Sequence, residues 1–128
     1  MRYRIGMRFA QETMPGVKLV TRYGEDGLWI GSEHYATSVI ITPEQVVPWS
    51  ARSVADLSTN DLDVVLALKP ELVLLATGAR QQFPAPALLY HAMARRVGIE
   101  VMDLGGAART YNVLVGDGRP VVLAALLG

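Results

Sequence analysis

Glu100-Val101-Met102-Asp103-Leu104-Gly105-Gly106-Ala107-Ala108-Arg109-Thr110-Tyr111-Asn112 is the stretch that decides the fold. A short apolar run ends in an acid and a glycine pair, and a segment of different periodicity follows. Apolar residues at 107, 108, 111, 114 and 115 keep the i, i+1, i+4, i+7, i+8 spacing of one helical face, and Gly116 stands where a helix stops. A hairpin turning at Gly116-Asp117-Gly118 has the right turn residues but not this period. The spacing therefore predicts a strand followed by a helix.

Working outward, Arg119 to Leu127 is uncharged after its first residue and reads as a last strand, central or near central in a sheet. On the other side, Ile99 to Asp103 reads as a buried strand. The helix before it opens at Pro84 or Pro86 and carries Leu88, Leu89, Ala92, Met93 and Val97. It places Arg95 and Arg96 in its last turn and stops at Gly98. Glu71 to Ala76 is a continuous apolar run suited to a strand covered on both faces, ended by Thr77-Gly78. Ser58 caps a helix with Asp61 as its third residue, a stripe of Leu62, Val65 and Leu66, and an end at Lys69-Pro70. Alternating strands and helices with short loops imply right-handed crossovers and a sheet covered by helices.

Before Trp49 the texture changes. Val17 to Tyr23, Leu28 to Gly31 and Ser38 to Thr42 are β-rich segments, the first two joined by the Gly24-Glu25-Asp26-Gly27 turn. Val46 to Trp49 adds a short strand ended by Pro48. The expectation is an α/β chain, with parallel β-α-β units in its C-terminal half and an N-terminal antiparallel β-meander that extends or covers the sheet. Residues 1–128 form a single domain, and 1–14 a loosely ordered N-terminal segment.

Composition narrows the function. Twelve basic and twelve acidic side chains cancel, so no global field draws the chain to nucleic acid or an anionic bilayer. With 51% hydrophobic and 19% charged residues, the chain favours a largely buried sheet or a self-associating surface. Cysteine is absent, which removes disulfides, thiolate nucleophiles and thiolate metal sites. Met1 to Phe9 holds three arginines but no apolar core of the ~7 to 15 residues a secretory signal needs. Val121 to Leu127 falls far short of the ~20 residues that span a bilayer. A cytoplasmic protein without a membrane span is expected.

Candidate chemistry gathers at two strand ends. Thr77, Gly78 and Arg80 precede one helix, and Asp103, Gly105, Gly106 and Arg109 open another. In open α/β sheets ligands bind beyond the carboxyl ends of the strands. Backbone N–H groups at two helix N-termini with two guanidinium forks suit a phosphate or carboxylate. The competing reading takes both glycine pairs as tight turns, with Arg80 and Arg109 paired to local acids such as Asp103. No spaced G-x-G-x-x-G or G-K-[ST] supports nucleotide binding, and no G-x-S-x-G elbow supplies a nucleophile. His34 and His91 lack a second metal ligand at helical spacing, and His91 reads as a helix-surface residue. Asp61 and Asp63 point in different directions and read as serving their helix N-terminus. Trp29 and Trp49 read as core or rim anchors. Neither catalytic residues, a metal nor a cofactor are expected.

Tyr35 to Ile41 with Pro43 and Trp49, Pro70 to Gly78 with Phe83-Pro84, and Gly98 to Asp103 with Ala107 to Asn112 form an ordered set of motifs. In these the chain resembles the MTH nine-three-eight-like domain family of unknown function, from about Val17 to Leu127. The family's mitochondrial members include a respiratory complex I assembly factor, and a cytoplasmic branch is associated with adipogenesis. The resemblance implies a small three-layer fold with a central mixed sheet and carries no established catalytic residues. The favoured function is a non-catalytic interaction or assembly protein, with an exposed sheet edge or the meander face as contact, a protein partner, and a homodimer as an option. The alternative is a small-molecule anion-binding protein or enzyme that uses the strand-end crevice.

Overall fold

A computed structural model describes residues 16–128. The N-terminal segment 1–14 lies outside the described residues. The chain runs β1 (Val20–Gly24), β2 (Gly27–Ile30), β3 (Glu33–Tyr35), β4 (Val39–Ile41), β5 (Val46–Pro48), α1 (Thr59–Leu66), β6 (Leu72–Ala76), α2 (Pro86–Met93), β7 (Gly98–Met102), α3 (Leu104–Gly116) and β8 (Val121–Ala125).

The expected α/β architecture is present, with a central mixed sheet of order β5-β4-β8-β6-β7. β6 is parallel to β7 on one side and to β8 on the other, while β4 runs antiparallel to both β8 and β5. The path from β6 through α2 to β7 moves outward, and the path through α3 to β8 returns past β6. Right-handed crossovers in opposite directions put their helices on opposite faces. β1, β2 and β3 form a separate antiparallel sheet. The meander thus does both things expected of it: β1 to β3 cover the sheet, and β4 with β5 extend it.

Alternation along each strand separates two cores. Leu74, Ala76, Val121, Leu123 and Ala125 pack with Ala107, Ala108 and Tyr111 of α3 and with Val20, Leu28 and Ile30 of the small sheet. Val73, Leu75, Val122, Ala124 and Ile40 face the other way, against Leu62 and Val65 of α1 and Leu88 and Ala92 of α2. The uncharged β8 lies at the centre and is buried at every position, as its sequence predicts.

Local signals hold where the chemistry is explicit. Ser58 accepts from Asp61 N and the Asp61 carboxylate accepts from Ser58 N, a complete capping box. Gly27 turns the first hairpin at φ +116°, and a Cβ there would lie 2.1 Å from the Tyr35 carbonyl oxygen.

Four expectations change. β7 is an edge strand rather than a buried one, and Glu100 is exposed. Glu33–Tyr35 forms a strand because it completes a hairpin with β2, although only Tyr35 of its three residues packs against the core. α2 ends at Met93, so Arg95 and Arg96 lie beyond it; Arg96 takes φ +61°, which breaks the helix before Gly98. Met93 is 62% exposed, on the opposite side of α2 from the buried Leu88 and Ala92. Asp63 does not serve its helix N-terminus but reaches His91 on α2.

Candidate functional site

β6, β7 and β8 deliver their C-terminal ends to the same side of the sheet, where a cavity of about 590 Å³ opens. Gly78, Asp103, Gly105 and Arg109 line it, together with Tyr23 from β1 and Leu127 beyond β8. Of the residues expected at the site, Thr77 lines an adjoining hollow of about 360 Å³, while Arg80 and Gly106 line neither.

Each side chain is placed by a local bond. Asp103 is the N-cap of α3, and its carboxylate accepts from Gly106 N at 2.7 Å. A Cβ on Gly106 would sit 2.8 Å from that carboxylate oxygen, a contact that a small shift of the Asp103 side chain relieves. A Cβ on Gly105 would sit 2.9 Å from the Tyr23 ring, which lies across the start of the helix. Arg109 Nη1 donates to the Tyr23 hydroxyl at 2.6 Å and ties α3 to β1 at the cavity wall. Leu104 N donates to the Gly78 carbonyl at 2.7 Å and joins the two loops.

Thr77 is buried and turned inward. Its hydroxyl lies 2.7 Å from the Arg80 carbonyl and 3.2 Å from the Met102 carbonyl, and it accepts from Gln82 N at 3.0 Å. The residue organises the loop from 77 to 82. Arg80 is exposed, with no ion pair among the described residues. The first-turn amides of Leu104, Gly106 and Ala107 all have acceptors within the chain. The Asp103 carboxylate, moreover, already brings negative charge to the helix N-terminus. An incoming anion would meet the Arg109 guanidinium and the Gly105 amide rather than an open ring of donors.

A second polar cluster joins α1 to α2. His91 Nε2 lies 2.7 Å from Asp63 Oδ1 and 2.8 Å from Arg95 Nη1. The hydrogen bond to His91 holds the Asp63 carboxyl below its usual value, and the Coulombic attraction of His91 and Arg95 adds to this. On the other face, burial pushes the Tyr111 hydroxyl far above its usual value and Glu44 adds to it, while the hydroxyl donates to the Lys18 carbonyl at 2.8 Å. Among the described residues no group of three or more His, Asp or Glu side chains is placed to hold a metal.

Sequence reasoning missed Tyr23 and Gln81. The pairing of β1 with α3 has no local signal, because 86 residues separate Tyr23 from Arg109. Gln81 Nε2 donates to the Val101 carbonyl at 2.7 Å, which only an edge position for β7 makes meaningful.

A three-layer α/β domain, with a mixed sheet between two helical layers and a small antiparallel sheet closing one side over a strand-tip crevice, is the class these features define. The chain belongs to the DUF498/DUF598 family of proteins of unknown function, whose pattern it matches over residues 20–127. It is similar to a crystal structure of a protein from Bordetella parapertussis, with 34% identity and a TM-score of 0.83 over 88% of this chain and 98% of that one. A Mth938-like domain from Bordetella pertussis is 28% identical with a TM-score of 0.77, covering 88% and 87% of the two chains. These findings agree with the family resemblance of the motifs. NADH dehydrogenase (ubiquinone) 1 alpha subcomplex assembly factor 3 of Bos taurus is 27% identical over 126 residues, which span 97% of this chain and 68% of that protein. Among the described residues no helix is long and apolar enough to cross a membrane.

Proposed function

We propose that the chain is a non-catalytic assembly protein, which holds another protein while a larger complex forms, and that it works in the cytoplasm. The observation that carries this reading is the likeness to complex I assembly factors along almost the whole chain. The surface supports it: Phe83, Tyr90 and Met93 are each more than 60% exposed, the last two on α2. Exposed aromatic and methionine side chains are enriched where proteins meet. Affinity capture from lysate of the source organism, under gentle conditions, tests the reading. A reproducible partner is the expected result, and repeated recovery of the chain alone contradicts it.

A second reading rests on the strand-tip cavity, where Gly78, Asp103, Gly105 and Arg109 would line the site of a small phosphate or carboxylate, with Thr77 at the adjoining hollow and Arg80 and Gly106 lining neither. The Arg109 guanidinium at the cavity wall favours it. The readings separate in one experiment. Arg80→Ala and Arg109→Ala leave partner capture intact under the first, and abolish any melting shift with phosphate or small carboxylates under the second.

A further inference from the structure

The two edges of the central sheet are finished differently. β5 is three residues long and ends in Pro48, which has no N–H to offer. β7 is five residues long, and its outer side is open along most of its length. Gly98 N donates to Glu71 O and Met102 O accepts from Thr77 N, so the even-numbered residues of β7 turn their backbone groups toward β6. By the alternation of a strand, Ile99 and Val101 turn theirs outward. The Val101 carbonyl is covered by the Gln81 side chain at 2.7 Å. That leaves the Ile99 N–H, the Ile99 carbonyl and the Val101 N–H facing away from the sheet. Unpaired edge groups are a template for an added strand.

The side chains along this edge say what kind of strand it takes. Glu100 stands at the centre, exposed and with no ion pair among the described residues. A second copy pairing antiparallel through Ile99 and Val101 would put Glu100 directly opposite its own counterpart, and like charges facing each other across a ladder repel. The same geometry favours Lys or Arg at that position of a different chain. Ile99 and Val101 point to the other face of the sheet, with α2, and so call for apolar neighbours on either side of the basic residue.

Deepening the assembly reading and resting on it, we propose that the edge of β7 accepts an extended segment of a partner protein, with a basic residue opposite Glu100 and apolar residues flanking it. The entering strand displaces the Gln81 amide and takes over the Val101 carbonyl. Gln81 therefore guards the edge while no partner is present.

The test uses purified protein and two synthetic seven-residue peptides of alternating valine and threonine, one with lysine at the centre and one with glutamate. In an NMR titration the Ile99 and Val101 amides are expected to shift, with the lysine peptide binding about ten-fold more tightly than the glutamate peptide. Glu100→Lys is expected to reverse that order, and Gln81→Ala to tighten binding several-fold. An unchanged order in Glu100→Lys, shifts confined to other strands, or no shift with either peptide at millimolar concentration would overturn the proposal. The titration needs no natural partner. Its failure removes the edge while a positive capture result keeps the assembly role, and failed capture alone removes the role.

Discussion

The two faces of the central sheet are covered in different ways. On the α3 face, polar bonds link segments far apart in the chain: Asn112 accepts from Val20 N at 3.0 Å and donates to Val20 O at 2.8 Å, and Tyr111 donates to Lys18 O. The α1 and α2 face is packed mainly by aliphatic side chains, with Trp49 Nε1 donating to Asp61 O and a half-buried His91 and Asp63 pair joined by exposed Arg95 at its rim. Connectivity explains the difference. α2 is held in place by the short loops of its own β-α-β unit, whereas the small sheet is 92 residues from the helix it covers and needs directional bonds to fix its register. A side held by polar latches is suited to staying put, and a smooth side with exposed Tyr90 and Met93 is suited to meeting another protein.

The largest expected effect lies on the latched side. Asn112→Ala strips partners from a buried backbone N–H and carbonyl, and is expected to cost about 3 kcal/mol, read as a fall in the urea midpoint. If it costs no more than a surface substitution, the latch does not hold the small sheet. Tyr111→Phe removes one bond to Lys18 O and is expected to cost about 1 kcal/mol. The same hydroxyl gives a pH signature. Its ionisation is raised in the folded state, so its contribution is full below the ordinary tyrosine value of 10.0 and is lost as pH rises beyond it. Wild-type protein should therefore lose stability above that pH more steeply than Tyr111→Phe in parallel urea titrations.

At the border of the two regions, Gly105→Ala forces the Tyr23 ring to move, because its edge lies 2.9 Å from the new Cβ. Its stability change is expected to stay under about 1 kcal/mol, since a ring end can swing and alanine favours the helix. The Arg109 to Tyr23 bond should nevertheless break, as local chemical-shift changes would reveal. On the smooth side, Tyr90→Ser with Met93→Gln is expected to alter stability by less than about 0.5 kcal/mol while weakening partner capture. Asp63→Asn is the mildest change. The Asp63 carboxyl is held below its usual 3.8, so its contribution is present above that value and disappears as pH falls through and below it. A thermal melt at neutral pH should show a slight loss that vanishes in strong acid.

Much of this contrast was legible in the chain. The helical period from Ala107 to Val115, the Ser58 cap and the uncharged β8 are local patterns, and local patterns survive folding. What stayed hidden depends on neighbours. The edge position of β7 follows from strand order, which no single segment encodes, and β3 exists because β2 supplies its partner. Around the strand-tip cavity, the opening of α3 just after Asp103 was legible, but not the cap that the Asp103 carboxylate makes to Gly106 N. The arrival of Tyr23 over Gly105 is a tertiary event.

Amide hydrogen exchange on the free protein, resolved residue by residue, puts the whole contrast to a single trial. Val20, bonded to Asn112, is expected to exchange as slowly as the core strands β6 and β8, while Ile99 and Val101 exchange fast and their neighbours Glu100 and Met102 exchange slowly. Fast exchange at Val20, or equal protection at Ile99, Glu100, Val101 and Met102, would contradict it.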